Sequence, residues 1–193
     1  MSFFSFLAPL LLVSHFVQGP GQGTPPKPAD PGAPESSTFL WSANRPLTWA
    51  DFRSKPTPSD RLAALTSANI DVQAACQDFK FVSTVRAVFI PTESWVRDPG
   101  KATPNLLRHE QLHFDITELY ARKLRQKISL TKFDCQRLQP RFKNMTNAVF
   151  AEWQKEEARY DQETNHGLTL DRQRSWEINV QNQLAQLAQF AVK

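Results

Sequence analysis

The sequence predicts an α+β fold in which an antiparallel sheet comes first and three helices follow. The prediction depends on two observations. Apolar and polar side chains alternate over residues 62–72, and residues 79–90 are rich in β-branched and aromatic side chains, and both patterns are typical of strands. After Pro104 the only proline is Pro140 and the only glycine is Gly167, and apolar residues recur at helical spacing. Strands and helices are therefore segregated along the chain, as in α+β proteins.

Three strands are expected in the first half of the domain. Residues 62–72 carry mainly apolar side chains at even positions, which predicts the first strand. Residues 79–90 are rich in β-branched and aromatic side chains and predict a second strand, which ends at the proline that follows. Residues 94–97 stand just before an Asp-Pro-Gly turn and favour a short edge strand.

The longest predicted helix covers residues 105–128. Thr103 is a favourable N-cap residue, and Pro104 is a favourable first residue of a helix because its fixed φ angle suits that position. No glycine or proline interrupts the segment that follows. This helix is therefore expected to be continuous over its whole length.

Two more helices are expected after it. The second reaches about Tyr160 and is kinked or restarted at Pro140. Residues 161–167 predict a loop that stops at a glycine, and residues 170–191 predict the third helix. The third helix has four apolar residues at core-facing spacing: Trp176, Val180, Leu184 and Leu187.

The N-terminal segment predicts export. Residues 3–17 form an apolar run whose length suits the core of a signal peptide better than a membrane span, and we expect a signal peptide over residues 1–23. The Pro-rich residues 24–37 have few side chains to bury and predict a disordered tether. The folded domain is then residues 38–193, secreted or periplasmic in a bacterium, with no stable membrane insertion after cleavage.

Cysteine content and charge narrow the class further. Cys76 and Cys135 are an even number of cysteines in an exported chain, so a disulfide between them is expected; two buried thiols are the alternative. The net charge is +4, but the basic residues are scattered among acidic ones. No nucleic-acid-binding module is recognisable, so we expect no nucleic-acid partner.

The pentad His109-Glu110-Gln111-Leu112-His113 lies on the first predicted helix and is the strongest functional motif. Residues four apart lie on one face of a helix, so His109 and His113 can direct their imidazoles at one ion. Glu110 is rotated by about 100° and can contact a zinc-bound water without binding the metal itself. Zinc brings the pKa of that water to about 7, and the carboxylate can take its proton.

A catalytic zinc site needs a third protein ligand. After removal of the signal peptide only three histidines remain, and the third, His166, is the favoured ligand. A helix that returns antiparallel to the first would bring other acidic residues level with the pentad. The alternatives are therefore Asp161, Glu163, Glu152, Glu156 and Glu157.

The chain resembles the bacterial domain-of-unknown-function family 922 in three segments: LTWADF (47–52), LLRHEQLHFDITELYARKLR (106–125) and YDQETNHG (160–167). That family is described as secreted zinc-dependent proteases. The resemblance implies an exported bacterial protein with a zincin-like fold. By position it implies that His109 and His113 are zinc ligands and that Glu110 is the general base. It also gives weight to His166.

These residues predict a secreted zinc metallopeptidase that hydrolyses a peptide or protein substrate, and cell-wall peptide is one candidate. Tyr160 is a candidate to hydrogen-bond the oxyanion, with packing as its alternative role. Asp115 and Glu118 are candidates to orient the imidazoles. The alternative is that both are surface charges of the helix, and Glu118 is in addition expected to pair with Arg122. The competing hypothesis is an exported binding or scaffolding domain in which a metal is structural or absent.

Overall fold

The structure is a computed structural model that describes residues 38–192. The predicted signal peptide and tether lie outside the described residues. The order of the longer elements is five strands followed by three helices, so the predicted α+β class with a small antiparallel sheet is confirmed. Within the described residues, no helix has the length and apolar character needed to cross a membrane.

The strands form two small antiparallel sheets. Their bounds are β1 Phe39–Leu40, β2 Ala64–Leu65, β3 Ala68–Gln77, β4 Lys80–Phe89 and β5 Trp95–Val96. The first sheet has the order β1-β4-β3, and the long β3–β4 hairpin makes most of it. The second sheet pairs β2 with β5.

The strand predicted over residues 62–72 is two strands in the structure. The chain leaves the second sheet after Leu65 and enters the first sheet at Ala68. Ser67 is held at the break, because its N–H donates to the buried Ser94 hydroxyl (2.9 Å) and its carbonyl accepts from the Ile90 N–H (2.9 Å). The alternation of side chains keeps its phase across the break, so it could not reveal a change of pairing partner.

The helices are α1 Pro104–Ser129, α2 Arg141–Thr164 and α3 Leu170–Gln186. Thr103 caps α1 as predicted, since its side chain accepts a hydrogen bond from the Leu106 N–H. Two boundaries differ from the prediction. The predicted loop at 161–167 is helical as far as Thr164, where left-handed Asn165 ends the helix. The third helix ends at Gln186, and a short 3-10 turn, Ala188–Phe190, follows it.

Helix α1 is the centre of the core. It packs against the β3–β4 hairpin on one side and against α2 and α3 on the others. Ile116, Leu119 and Leu124 are completely buried along its length. Burial of an aliphatic side chain of this size contributes about 1.5–3 kcal/mol. The pentad lies in the N-terminal half of this helix, so the candidate site is built on the most extensively buried of the three helices.

A covalent link fastens the far end of the hairpin to the helical half. Cys76 of β3 is bonded to Cys135, in the connection between α1 and α2, which agrees with the predicted disulfide. Beside this bond the ring of Phe81 packs on those of Phe133 (4.7 Å) and Phe142 (5.4 Å). The hairpin end is thereby fixed although its tip projects into solvent.

Candidate metal centre

His109 and His113 point from one face of α1 toward the same place. Their Nε2 atoms are 3.2 Å apart, as expected for residues one helical turn apart that share a target. His109 is only 2% exposed. An imidazole buried to this degree is expected to have its nitrogens in use, either in hydrogen bonds or on a metal.

Helix α2 returns antiparallel and contributes a carboxylate to the same place. Asp161 Oδ1 lies 3.1 Å from His109 Nε2 and 3.1 Å from His113 Nε2. Trp153, Glu157 and Asp161 follow one another at intervals of four residues on α2, so they share the helix face that packs toward α1. The antiparallel return that the sequence predicted therefore delivers an acidic residue at the level of the pentad.

The three atoms fit a divalent metal. Imidazole nitrogen and carboxylate oxygen are both zinc ligands, and bonds of 2.0–2.1 Å in a tetrahedron place neighbouring ligand atoms about 3.3–3.4 Å apart. The atoms of His109, His113 and Asp161 are 3.1–3.2 Å apart, so an outward shift of about 0.2 Å gives tetrahedral geometry. Three protein atoms leave the fourth position for water or substrate.

The outer nitrogen of His113 is fixed by a carboxylate. Its Nδ1 lies 2.5 Å from Glu157 Oε2, and the other oxygen of Glu157 accepts a hydrogen bond from the Trp153 indole N–H (2.8 Å). A proton held on Nδ1 leaves the lone pair of Nε2 directed at the shared position. Carboxylate–histidine pairs of this kind orient metal-binding imidazoles.

The outer nitrogen of His109 is fixed by an amide. Gln173, on α3, is 1% exposed, and its Oε1 lies 3.3 Å from His109 Nδ1. The same oxygen accepts a hydrogen bond from the Tyr160 hydroxyl (2.7 Å), while the amide NH₂ donates to Glu177 (3.0 Å). Since both other contacts of the amide fix its orientation, Gln173 can act only as an acceptor toward His109, which leaves Nε2 unprotonated.

The charges around the site favour a cation. Burial opposes the ionised form of Asp161, but its hydrogen bonds with His109 and His113 hold its pKa far below the usual range. Burial also opposes protonation of His113, yet the carboxylates of Glu157 and Asp161 raise its pKa well above 6.5. Two carboxylates that attract a proton so strongly in this place would attract a metal cation in the same way.

Glu110 lies beside the three donor atoms without joining them. It is 3% exposed, and this burial raises its pKa, although His113 and His109 act in the opposite direction. Together with the donor residues it lines a cavity of about 700 Å³. The Thr66 hydroxyl donates to the Glu110 carbonyl (3.1 Å) and so brings the end of β2 against α1 at the cavity wall.

His166 lies at the edge of the site. Its Nδ1 is 3.3 Å from Asp161 Oδ1, and about half of its side chain is exposed. Within the described residues, the group of ligand atoms that lie within 4.8 Å of one another consists of His109, His113 and Asp161, without His166. The placement therefore favours Asp161, which the sequence offered only as an alternative, over His166 as the third donor.

Tyr160 does not present its hydroxyl to the cavity. The residue is completely buried, its ring stacks on the His109 ring (4.7 Å), and its hydroxyl donates to Gln173. This placement agrees with the packing role, the alternative that the sequence left open for Tyr160, because Gln173 accepts the hydrogen bond from its hydroxyl. The Tyr160 ring packs against one face of the His109 ring.

The remaining acidic candidates have other contacts. Glu163 accepts from the Trp176 indole (2.9 Å), and Glu118 is buried between Arg122 and Arg125, so the predicted pairing with Arg122 holds but the predicted surface position does not. Asp115 accepts from Trp41, Gln111 and Gln181 and contacts neither imidazole. The imidazoles are oriented by Glu157 and Gln173.

Gln173 is the site residue that the sequence reasoning missed. It continues the apolar stripe of α3 toward its N-terminus, three residues before Trp176 and seven before Val180. A polar residue at a core-facing position of a helix must find a buried partner. That mismatch was a usable signal for a residue that supports the site.

The fold and the site define an α+β protein that brings two imidazole nitrogens and one carboxylate oxygen to a common point. Residues 47–167 match the family model described as bacterial protein of unknown function (DUF922), and the chain belongs to that family. The match confirms the resemblance carried by the three sequence segments. No match was found among the curated proteins or among the solved structures. The family description names no activity.

Proposed function

We propose that this chain is a zinc-dependent metallopeptidase with a zincin-like active site. One observation carries the proposal: Nε2 of His109, Nε2 of His113 and Oδ1 of Asp161 form a triangle with sides of 3.1–3.2 Å, and Glu110 lies next to it in a cavity. This arrangement offers three metal ligands, two imidazoles and one carboxylate, and a separate glutamate as the base. Such a combination is suited to hydrolysis.

In this proposal His109, His113 and Asp161 hold the metal. Zinc, when bound, supplies a Lewis acid that lowers the pKa of a coordinated water to about 7. Glu110 accepts a proton from the attacking water and delivers it to the departing amine. A carboxyl whose pKa is raised by burial is suited to both steps, because it takes and releases a proton more evenly at neutral pH.

His166 has a separate part in the proposal. Its half-exposed imidazole lies on the open side of Asp161, where it can hydrogen-bond the oxygen that becomes negative on the scissile carbonyl. Tyr160 is too deep to do this. His166 is thus assigned to the substrate rather than to the metal.

The cavity wall suits an extended peptide. The Arg97 N–H donates to the Ala63 carbonyl (2.9 Å), so the backbone N–H and carbonyl of Ala63 face β5. Successive residues of a strand direct these groups to opposite edges, so those of Ala64 face the edge away from β5. Residues 62–66 line the cavity along that edge. An extended chain that added there as a further strand would lie in the cavity that His109, His113 and Asp161 also line. The Cys76–Cys135 disulfide supports the proposed secreted or periplasmic location.

The test combines metal content with hydrolysis. Purified protein is expected to hold about one zinc per chain, and Glu110→Gln is expected to keep that zinc while losing hydrolysis of an internally quenched peptide library by at least about 100-fold. Asp161→Asn is expected to lose zinc. His166→Ala is expected to keep zinc and lose only activity.

Each variant separates one part of the proposal. Unchanged hydrolysis by Glu110→Gln would rule out the peptidase mechanism. Loss of zinc in His166→Ala but not in Asp161→Asn would restore His166 as the third ligand. Full zinc without any peptide hydrolysis in the wild type would favour a binding domain with a structural metal. Glu163→Gln is the matched control, since Glu163 is on the same helix but contacts Trp176.

A further inference from the structure

The tip of the β3–β4 hairpin exposes an aromatic residue in an unfavourable conformation. Gln77 pairs with Lys80, so Asp78 and Phe79 are the two loop residues, and both have positive φ angles (49° and 61°). Such turns normally use glycine at the second position, because a bulky side chain there is strained. Phe79 is nevertheless 90% exposed and buries almost nothing. The residue therefore lowers stability without contributing to the core.

The tip belongs to a small lobe whose two segments are cross-linked. We call residues 73–83 and 130–143 the distal lobe. The disulfide between Cys76 and Cys135 and the packing of Phe81 on Phe133 and Phe142 join its two segments. An exposed aromatic on a fixed base does not have to be ordered when a partner binds, which lowers the entropic cost of binding.

The distal lobe carries most of the net positive charge of the protein. Its 25 residues include two acidic and five basic side chains, a net charge of +3 compared with +4 for the whole chain. All five basic residues are exposed: Lys80, Lys132, Arg137, Arg141 and Lys143. One of the two acids, Asp134, accepts the Gln136 N–H and so caps a turn. The charge is therefore concentrated at one end of the molecule.

We propose that the distal lobe binds the surface of an anionic lipid bilayer, with Phe79 inserted among the lipids and the basic residues on the headgroups. An exposed apolar tip on a lobe with five exposed basic side chains has the two properties that interfacial binding needs, apolar area to bury and attraction to anionic lipid. Nucleic acid or another soluble polyanion would use the basic residues but would leave the strained Phe79 without a role.

The experiment is vesicle co-sedimentation of the chain from residue 24 onward, without the predicted signal peptide, because that apolar segment would itself bind lipid. The probe is phosphatidylcholine vesicles with and without about 30% phosphatidylglycerol. Wild type is expected to bind the anionic vesicles and to be released by high salt. Phe79→Gly is expected to bind at least about tenfold more weakly, because the burial of the phenylalanine side chain in the lipid is lost. Its melting temperature is expected to stay the same or to rise, because glycine relieves the backbone strain.

Further variants test the two halves of the proposal. Lys132→Glu is expected to weaken binding at least about fivefold through charge alone. Ile178→Ser, which removes an exposed apolar side chain from α3, is the control and is expected to bind as wild type. Phe79→Trp places an indole at the tip, and brominated lipid is expected to quench the tryptophan fluorescence of this variant more than that of wild type.

Several results would overturn the proposal. They are no binding of wild type to anionic vesicles, equal binding to neutral vesicles, or equal binding by wild type and Phe79→Gly. Binding to heparin that depends on Lys132 but not on Phe79, without vesicle binding, would identify a soluble polyanion as the partner instead.

Discussion

Gly167 presses against the proposed ligand His109, and replacing it with alanine should disturb the metal centre. Its φ angle is +79°, and a Cβ atom added there would lie 2.8 Å from His109 Cβ and 2.9 Å from His109 Cγ. Carbon atoms in normal contact are about 3.5 Å apart, so the two residues must separate by about 0.6–0.7 Å. The His109 ring cannot withdraw freely, since its other face stacks on buried Tyr160.

The size of the effect follows from these distances. Metal–ligand distances tolerate changes of about 0.2 Å, so a displacement of about 0.6–0.7 Å should reduce zinc affinity by about 10–100-fold. The left-handed conformation adds a cost of about 1–2 kcal/mol for alanine. With the steric overlap, the free energy of unfolding of the metal-free Gly167→Ala protein should fall by about 2–3 kcal/mol.

Zinc affinity can be measured by competition with a chromophoric chelator, and stability by denaturant unfolding of the metal-free protein. Gly100→Ala is the matched control. A Cβ atom at Gly100 would meet only Asp98 Oδ1, at an ordinary 3.5 Å, so zinc affinity and stability should not change. If Gly167→Ala binds zinc as tightly as wild type, the packing of Gly167 on His109 does not position the ligand, and the reasoning fails.

Two further predictions concern stability. Burial tends to raise the pKa of Asp51, but hydrogen bonds from Thr48 and Arg45 outweigh this effect and lower the pKa below 3.8. Asp51→Asn should therefore reduce the free energy of unfolding by about 1 kcal/mol at pH 7. In urea unfolding, this difference between the two proteins should shrink and disappear as the pH falls below about 4, because the carboxylate becomes protonated. Glu118→Gln should cost about 3 kcal/mol, because buried Arg122 loses its counter-ion, whereas exposed Glu152→Gln should cost under about 1 kcal/mol. Equal losses of stability in Glu118→Gln and Glu152→Gln would refute the argument that a buried ion pair costs more to break than an exposed one.

Local patterns predicted much of the fold. Thr103 and Pro104 begin α1 where expected, because capping depends on a few neighbouring residues. The strands predicted over residues 62–72 and 79–90 overlap both long strands of the structure, although β3 continues five residues further, to Gln77. Pairing partners were not predictable, since strand pairing is a contact between distant segments. The split of the predicted first strand into β2 and β3 is of this kind.

The sequence by itself determined that His109 and His113 share a face of one helix, with Glu110 between them, because helical periodicity is a local property. It also marked Cys76 and Cys135 as a pair. Only the tertiary structure placed the carboxylate of Asp161 within 3.1 Å of both imidazole nitrogens and left His166 at the edge, since this placement depends on how α2 packs against α1. It also turned Tyr160 inward and brought Gln173 to His109 across 64 residues of chain, contacts that the packing of α2 and α3 against α1 creates.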